Sequence, residues 1–135
     1  TEMELELARL KRELAEVKDR ICTFLAERGW ESAHTPKNLA MSIAIESAEL
    51  MEIFQWVDSG EAHAFALDDP DRFLHVRQEV ADVVIYCISL ANALGFDLAK
   101  AIDEKIDDNE RRYPANAKRE SARAAKGGGG HGRSR

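Results

Sequence analysis

Apolar residues recur every three or four positions along most of the chain, which is the period of an amphipathic α-helix. The pattern predicts four helices: one ended by Gly29, then about Pro36 to Val57, about Pro70 to Leu94, and about Leu98 to Arg112. Thr35 and Asp69 each precede a proline, the usual arrangement of a capping residue followed by the first helical position. Residues 58–71 are expected to form a loop with at most one short helical turn. The prediction is an all-α bundle of four helices in a single domain, residues 1–114.

The first and third predicted helices differ in how much apolar surface they carry. The third is apolar almost all round between residues 78 and 96, so most of its faces are expected to be buried. The first has only a narrow apolar seam, which suits packing against a second subunit at least as well as burial within the chain. Its seam residues are Leu7, Leu10, Leu14, Val17, Ile21 and Leu25.

Two pairs of acidic residues lie within the apolar helices. Glu79 and Asp82 are three residues apart in the third helix, and Glu46 and Glu49 repeat that spacing in the second. Burying like charges side by side is costly unless a cation meets them. Side chains at this spacing share a helix face, so facing helices would gather four carboxylates around one or two hard cations, Mg²⁺ or Mn²⁺. The alternative is that these acids are ordinary solvated helix residues.

Other catalytic chemistries find little support in the sequence. A di-iron carboxylate site needs a Glu-x-x-His pair on each of two helices. The only such pair, Glu31 and His34, lies in the connector before the second helix. His63, His75 and His131 have no metal-ligand spacing with one another and are interpreted as surface or packing residues. Because no glycine-rich phosphate-binding motif is present, phosphates would be held through metal and side chains.

The fourth helix carries a polar stripe suited to phosphate oxygens. Lys105, Asn109 and Arg112 follow one another at spacings of four and three residues, which places them on one face. A solvated basic face near a helix C-terminus is the alternative. Three aromatic side chains are candidates for stacking on a nucleotide base, with core or interface packing as the alternative: Trp30, Trp56 and Tyr86.

Charge narrows the classes of partner. The chain has 135 residues and a net charge of −6, but residues 115–135 carry +5 and residues 1–114 carry −11. So acidic a body is a poor surface for a nucleic-acid polymer, whereas it suits recruitment of divalent cations. The basic end, with four consecutive glycines and few large apolar side chains, is expected to be a flexible tail.

Hydropathy and cysteine usage also predict where in the cell the protein acts. No apolar stretch reaches the length of a membrane span and the first residues lack a signal-peptide pattern, so no membrane association is expected. Cys22 and Cys87 lie in apolar helical patterns outside any Cys-x-x-Cys motif, and both are expected to be reduced, buried thiols of a cytoplasmic protein.

Three stretches together resemble a known family: GWESAHTPKNLAMSIAIESAELMEIFQW, EVADVVIYCISLANALGFDL and KIDDNERRYP. They are similar to the MazG-like all-α nucleoside triphosphate pyrophosphohydrolases, and most similar to the dCTP pyrophosphatase-like branch. The resemblance runs from about Ile21 to Pro114. Its paired acidic motifs, flanked by the His-x-Pro-x-Asn-Leu entry and the Arg-Tyr-Pro exit, form a specific combination.

The resemblance implies an activity and roles for individual residues. The expected reaction is Mg²⁺-dependent hydrolysis of an NTP or dNTP to the monophosphate and pyrophosphate, with dCTP-like and modified nucleotides among the candidate substrates. The sites are expected to be completed in a homodimer or homotetramer. The residues matching the metal ligands are Glu46, Glu49, Glu79 and Asp82, the first two being candidates for the general base. Those matching phosphate contacts are Lys105, Asn109 and Arg112. Those matching positions near the base or sugar are Trp30, His34, Asn38, Trp56 and Tyr86.

Two non-catalytic functions are also compatible with the sequence. The chain could be a helical oligomerisation module whose acidic residues are merely solvated. It could also be a nucleotide sensor that keeps the pocket without hydrolysing its ligand. In place of an aromatic residue common in the branch, Ala33 precedes His34, which leaves the choice of base open.

Overall fold

A computed structural model describes residues 1–115, and within this range every regular element is helical. The predicted all-α class is therefore confirmed. The elements are α1 (Glu2–Arg28), a 3₁₀ turn (Glu31–Ala33), α2 (Pro36–Phe54), α3 (Ala62–Asp68), α4 (Pro70–Leu94) and α5 (Leu98–Arg112).

Local capping explains where the two central helices begin and where α4 ends. The Thr35 hydroxyl accepts a hydrogen bond from the Asn38 backbone N–H at 3.2 Å, and Pro36 occupies the first helical position. At the start of α4 the Asp69 carboxylate accepts from the Asp71 backbone N–H at 3.0 Å. Gly95 ends α4 with φ 73°, a left-handed conformation that favours glycine. These boundaries agree with the sequence prediction.

Two boundaries differ from the prediction. Helix α2 ends at Phe54 rather than Val57, and the expected loop contains a fifth helix, α3. Arg72 of α4 holds this short helix in place, since its guanidinium donates to the Phe65 carbonyl at 2.7 Å and lies 3.7 Å from the centre of the Phe65 ring. Seven residues are too few for a stable isolated helix, so a tertiary contact of this kind decides the outcome.

Helix α4 is the centre of the packing and contacts α1, α2 and α3. Within residues 1–115 the buried apolar residues are few, namely Leu39, Ile88 and Ala91. The expectation that α4 is buried on most faces is wrong for the single chain, because Val80 and Val84 remain 44% and 46% exposed. The neighbouring helices cover only part of its circumference, which leaves an apolar face open.

The described chain divides into two compact units, Thr1–Asp97 and a second beginning at Leu98. The first contains α1 to α4, and α5 belongs to the second. The predicted single domain, residues 1–114, stays a prediction. The predicted basic tail, including His131, lies outside the described residues from position 116 onward.

The burial of the two cysteines and the hydropathy of the helices bear on two further predictions. Both cysteines are free thiols, but neither is buried as predicted: Cys22 is exposed and Cys87 is half-buried, because neighbouring helices cover α1 and α4 only in part. Among residues 1–115, no single helix combines the length and the hydropathy needed to cross a membrane; only α4 and α5 taken together meet that criterion.

Candidate metal centre and adjoining cavities

Three carboxylates from two helices meet at one point. Glu46 comes from α2, while Glu79 and Asp82 lie one turn apart on α4, the helix against which α2 packs. One oxygen from each lies within 4.8 Å of the others. The spacing of three residues on α4 places both of its acids on the face that meets α2. The arrangement is that of a candidate site for a cation.

The electrostatics of this cluster are unfavourable without a counter-charge. Burial raises the pKa of Glu46 from 4.5 to about 7, assisted by hydrogen bonding with Glu79 and Glu49 and by the negative charges of Glu49 and Asp82. Each of these causes penalises an ionised Glu46. A bound cation would reverse the penalty, because it would replace the proton between the carboxylates.

Unpartnered oxygens support this interpretation. Glu46 Oε2 and Glu79 Oε2 are buried and have no hydrogen-bond partner in the described structure. Buried polar atoms are nearly always paired, so two unpaired oxygens in one acidic cluster are suited to binding a cation. Three carboxylates with free lone pairs suit a hard, oxygen-binding cation, and the residues therefore fit the metal that the sequence pattern predicts.

The fourth predicted ligand, Glu49, lies at the edge of the cluster. It is exposed, and it interacts with Glu46 through hydrogen bonding and charge. Together with Glu79, it lines an open cleft of about 630 Å³. Glu49 is thus next to the three converging acids while facing a volume that water or substrate can enter.

One neighbour of the cluster is absent from the sequence prediction. His75 places its Nε2 atom 3.3 Å from Glu79 Oε1 and also lines the 630 Å³ cleft. The sequence held the signal, because these residues are four apart on α4 and share a face. The spacing between the histidines themselves carries no such signal.

A second cavity, of about 440 Å³, is lined by Asp82 of the acidic cluster. Its walls include three of the aromatic or imidazole residues predicted near the base, namely Trp30, His34 and Tyr86. The His34 and Tyr86 rings lie 6.3 Å apart between centres. Helix α1 supplies the opposite wall, a contribution that its narrow seam did not reveal. The cavity is largely apolar and reaches the acidic cluster at Asp82.

Two other residues predicted near the base take different positions. Asn38 is exposed, and its side-chain amide donates to the Ala33 carbonyl at 3.0 Å, which ties the 3₁₀ turn to α2. Trp56 follows the end of α2 and is 89% exposed, and it does not line the 440 Å³ cavity. Neither is brought to the cavity within the single chain.

The predicted phosphate-binding residues share one face of α5, within the second compact unit. Asp108 organises two of them, since its carboxylate lies 3.4 Å from Lys105 Nζ and 3.4 Å from Arg112 Nε. Asn109 is next in sequence, and its backbone carbonyl accepts from the Tyr113 N–H at 2.8 Å. The cationic groups therefore form an ordered stripe along this helix.

Known proteins resemble this chain in sequence and in structure. Human dCTP pyrophosphatase 1 is 41% identical over 100 residues, and the rat protein of the same name is 39% identical over 99. These alignments cover 74% and 73% of this chain but 58% of each relative. The chain thus spans less than two thirds of the length of these relatives.

A solved structure and a family model agree with these matches. The crystal structure of a pyrophosphatase from Archaeoglobus fulgidus superposes with a TM-score of 0.69 at 41% identity, covering 76% of this chain and 93% of that one. Residues 41–126 match the model of the MazG-like family. This match includes both acidic pairs and extends over more than half of the chain. The chain therefore belongs to the MazG-like family.

Proposed function

We propose that this protein hydrolyses a nucleoside triphosphate, of the dCTP-like or modified deoxynucleotide class, to the monophosphate and pyrophosphate with Mg²⁺. The observation that carries the proposal is the convergence of Glu46, Glu79 and Asp82 beside a cavity with aromatic walls. The pyrophosphatase names of the relatives support the same reaction type.

The donor set favours Mg²⁺, with Mn²⁺ as a substitute, because all its members are carboxylates. Glu46, Glu79 and Asp82 would hold the cation, and Glu49 would complete the set from the edge. When bound, the cation would supply charge neutralisation, polarisation of a phosphate oxygen and a lowered pKa for a coordinated water. It would also allow a polyanionic substrate to approach an acidic protein.

The proton of the attacking water needs an acceptor among the chain's own residues. Glu49 suits this role best, because it is exposed to the 630 Å³ cleft and touches the cluster without belonging to the three converging acids. Glu46 is the second candidate. A positioned carboxylate in this role contributes roughly 10²- to 10⁴-fold to the rate.

Separate sets of residues would contact the nucleoside and the phosphates of the substrate. Trp30, His34 and Tyr86 would contact the base or sugar, and Asn38 would act by keeping the connector with His34 in place. Trp56 would reach a nucleotide only if an assembly brought it there. The basic stripe of α5 would hold the phosphates and stabilise the charge of departing pyrophosphate: Lys105, Asn109 and Arg112.

A homodimer or homotetramer is part of the proposal. Met41 and Ile45 on α2 are 53% and 56% exposed, and Val80 and Val84 on α4 are 44% and 46% exposed. Apolar surface of this extent on two adjacent helices is typical of a protein interface. A second copy of the chain would cover it.

The activity is tested with Mg²⁺ and a panel of common and modified deoxynucleotides. Released pyrophosphate is converted to phosphate by an added pyrophosphatase and measured colorimetrically. Glu49→Gln is expected to lose at least about 100-fold in kcat while remaining folded. Glu16→Gln, an exposed acid on α1, is the matched control and should keep full activity.

Two results would overturn this proposal. Full activity of Glu49→Gln would exclude Glu49 as the proton acceptor and weigh against the site. Nucleotide binding by the wild-type protein with no turnover of any substrate would instead identify a sensing module.

The assembly is tested separately by light scattering after size-exclusion chromatography. The wild-type protein should elute with the mass of two or four chains, and Ile45→Lys should reduce that mass because it puts a charge into the proposed interface. The exchange Glu16→Gln serves again as the control. A monomeric wild-type protein at micromolar concentration would contradict the assembly.

A further inference from the structure

Helix α4 contains a buried hydroxyl group that bonds to nothing in the described structure. Ser89 is 4% exposed, and its Oγ atom has no hydrogen-bond partner. An unpaired buried hydroxyl destabilises a fold, so such groups usually have a partner, whether protein, water or ligand. The local packing does not supply one, which points to a ligand on the cavity side.

Ser89 lies in line with the acidic cluster. It follows Asp82 by seven residues and Tyr86 by three, so all three share one face of α4 and all line the 440 Å³ cavity. Seven residues of helix rise about 10 Å. This length matches the span of a nucleotide from its phosphates to the far edge of its base.

A second unpaired polar atom lies at the same end of the cavity. His34 Nδ1 is buried and has no hydrogen-bond partner among residues 1–115, and His34 also lines the 440 Å³ cavity. Both residues border a further cavity of about 360 Å³, whose walls include the Asn92 side chain. A hydroxyl and a neutral imidazole nitrogen can each donate or accept a hydrogen bond. The far end of the cavity is therefore polar, whereas its sides are apolar and aromatic.

We propose that Ser89 is a specificity-determining residue that, together with His34, hydrogen-bonds the polar edge of the substrate's base. The inference rests on the proposed function. It adds the hydrogen bonds by which the protein would distinguish one base from another. The phosphates lie toward Asp82, the base packs beside Tyr86, and its edge meets the two unpaired atoms. A base that offers no matching donor or acceptor leaves them unsatisfied and is rejected for that reason.

The test compares bases rather than absolute rates. The kcat/KM values for dATP, dCTP, dGTP and dTTP are measured with Mg²⁺ for the wild type, Ser89→Ala and Ser59→Ala. Ser59 lies in the loop after α2, is exposed and serves as the matched control. Thermal melting establishes that each variant is folded, and Ser89→Ala should melt no lower than the wild type because it removes an unpaired buried group.

In Ser89→Ala, we expect a smaller ratio between the kcat/KM of the best deoxynucleotide and that of the worst. A reduction of about tenfold corresponds to the loss of one hydrogen bond. Ser59→Ala should keep the wild-type ratio. An unchanged ratio in Ser89→Ala, or an equal loss with all four bases, would overturn the inference, since a buried water or a packing role explains either result.

The design separates this inference from the proposed function. If the wild type hydrolyses only modified deoxynucleotides, the ratio between the best and the worst base is taken among those. If it hydrolyses none of the common or modified deoxynucleotides, the proposed function fails, and this ratio is taken from the dissociation constants of the four deoxynucleoside monophosphates by calorimetry. A narrowed ratio in Ser89→Ala would still support the role of Ser89, and an unchanged ratio would refute it. Failure of every monophosphate to bind would refute both proposals.

Discussion

Replacing Glu46 by glutamine should make the metal-free protein more stable at alkaline pH while removing its response to cations. Glutamine keeps the size of the side chain but carries no charge. In the folded protein, burial and the neighbouring carboxylates raise the pKa of Glu46 to about 7. An ionised Glu46 is therefore a source of instability whenever no cation is bound, and the substitution removes that source.

The pKa shift sets both the sign and the size of the effect. Because the folded state holds this proton more tightly than the unfolded state, the stability of the metal-free wild type falls as the pH rises from about 4.5 through about 7. One pKa unit corresponds to roughly 1.4 kcal/mol, so the shift from 4.5 to about 7 bounds the effect at about 3.5 kcal/mol. Glu46 is partly exposed, and solvent screening reduces the expected gain of Glu46→Gln to ~2 kcal/mol at pH 8.

Thermal unfolding followed by circular dichroism tests this prediction at pH 4.5 and pH 8, in a chelator and in Mg²⁺. At pH 8 without metal, Glu46→Gln should melt roughly 5–10 °C above the wild type, and at pH 4.5 the two should nearly coincide. Mg²⁺ should raise the melting temperature of the wild type but not that of the variant. Glu16→Gln should behave as the wild type throughout.

Two outcomes would refute the reasoning. A variant no more stable than the wild type at pH 8 in chelator would mean that Glu46 is not strained by its neighbours. Equal stabilisation of both proteins by Mg²⁺ would mean that the cation binds elsewhere.

Further predictions concern proton release and two structural contacts. Mg²⁺ added at pH 6.5 should release a proton from Glu46, seen by calorimetry as a dependence on buffer ionisation enthalpy; a buffer-independent heat would contradict it. Arg72→Ala should cost about 1–2 kcal/mol in urea unfolding, because it removes the contacts with Phe65 that hold α3, and an unchanged midpoint would argue against them. Gly95→Ala should cost about 1 kcal/mol in the same assay, since its φ of 73° is unfavourable for alanine.

The starts of the central helices and the end of α4 could be predicted from the sequence, because capping depends on residues that are neighbours in the chain. The Thr35-Pro36 and Asp69-Pro70 pairs begin α2 and α4, and Gly95 ends α4, as their capping chemistry requires. Helix α3 is longer than the one short turn predicted for this loop, because its seven residues acquire stability from tertiary contacts such as those that Arg72 makes with them. The end of α2 was misplaced by three residues for a related reason, since apolar periodicity alone does not mark where a helix stops.

Within the candidate site, the acidic pairs were likewise predicted only in part from the sequence. Their spacing predicted that each pair shares a helix face, but the meeting of Glu46 with Glu79 and Asp82, and the position of Glu49 at the edge, depend on how α2 packs on α4. The sequence alone could not tell which aromatic residues line the cavity and which do not. Trp30 lines the cavity and Trp56 does not, although both flank α2.

The sequence by itself determined the helical class, most helix boundaries and the chemical type of the site, because periodicity, capping and side-chain chemistry act over a few residues. Only the tertiary structure decided which acids converge, which aromatic residues border the cavity and that Ser89 is buried without a partner. Those properties depend on distances between residues far apart in the chain, and the packing of α1 and α2 against α4 sets them.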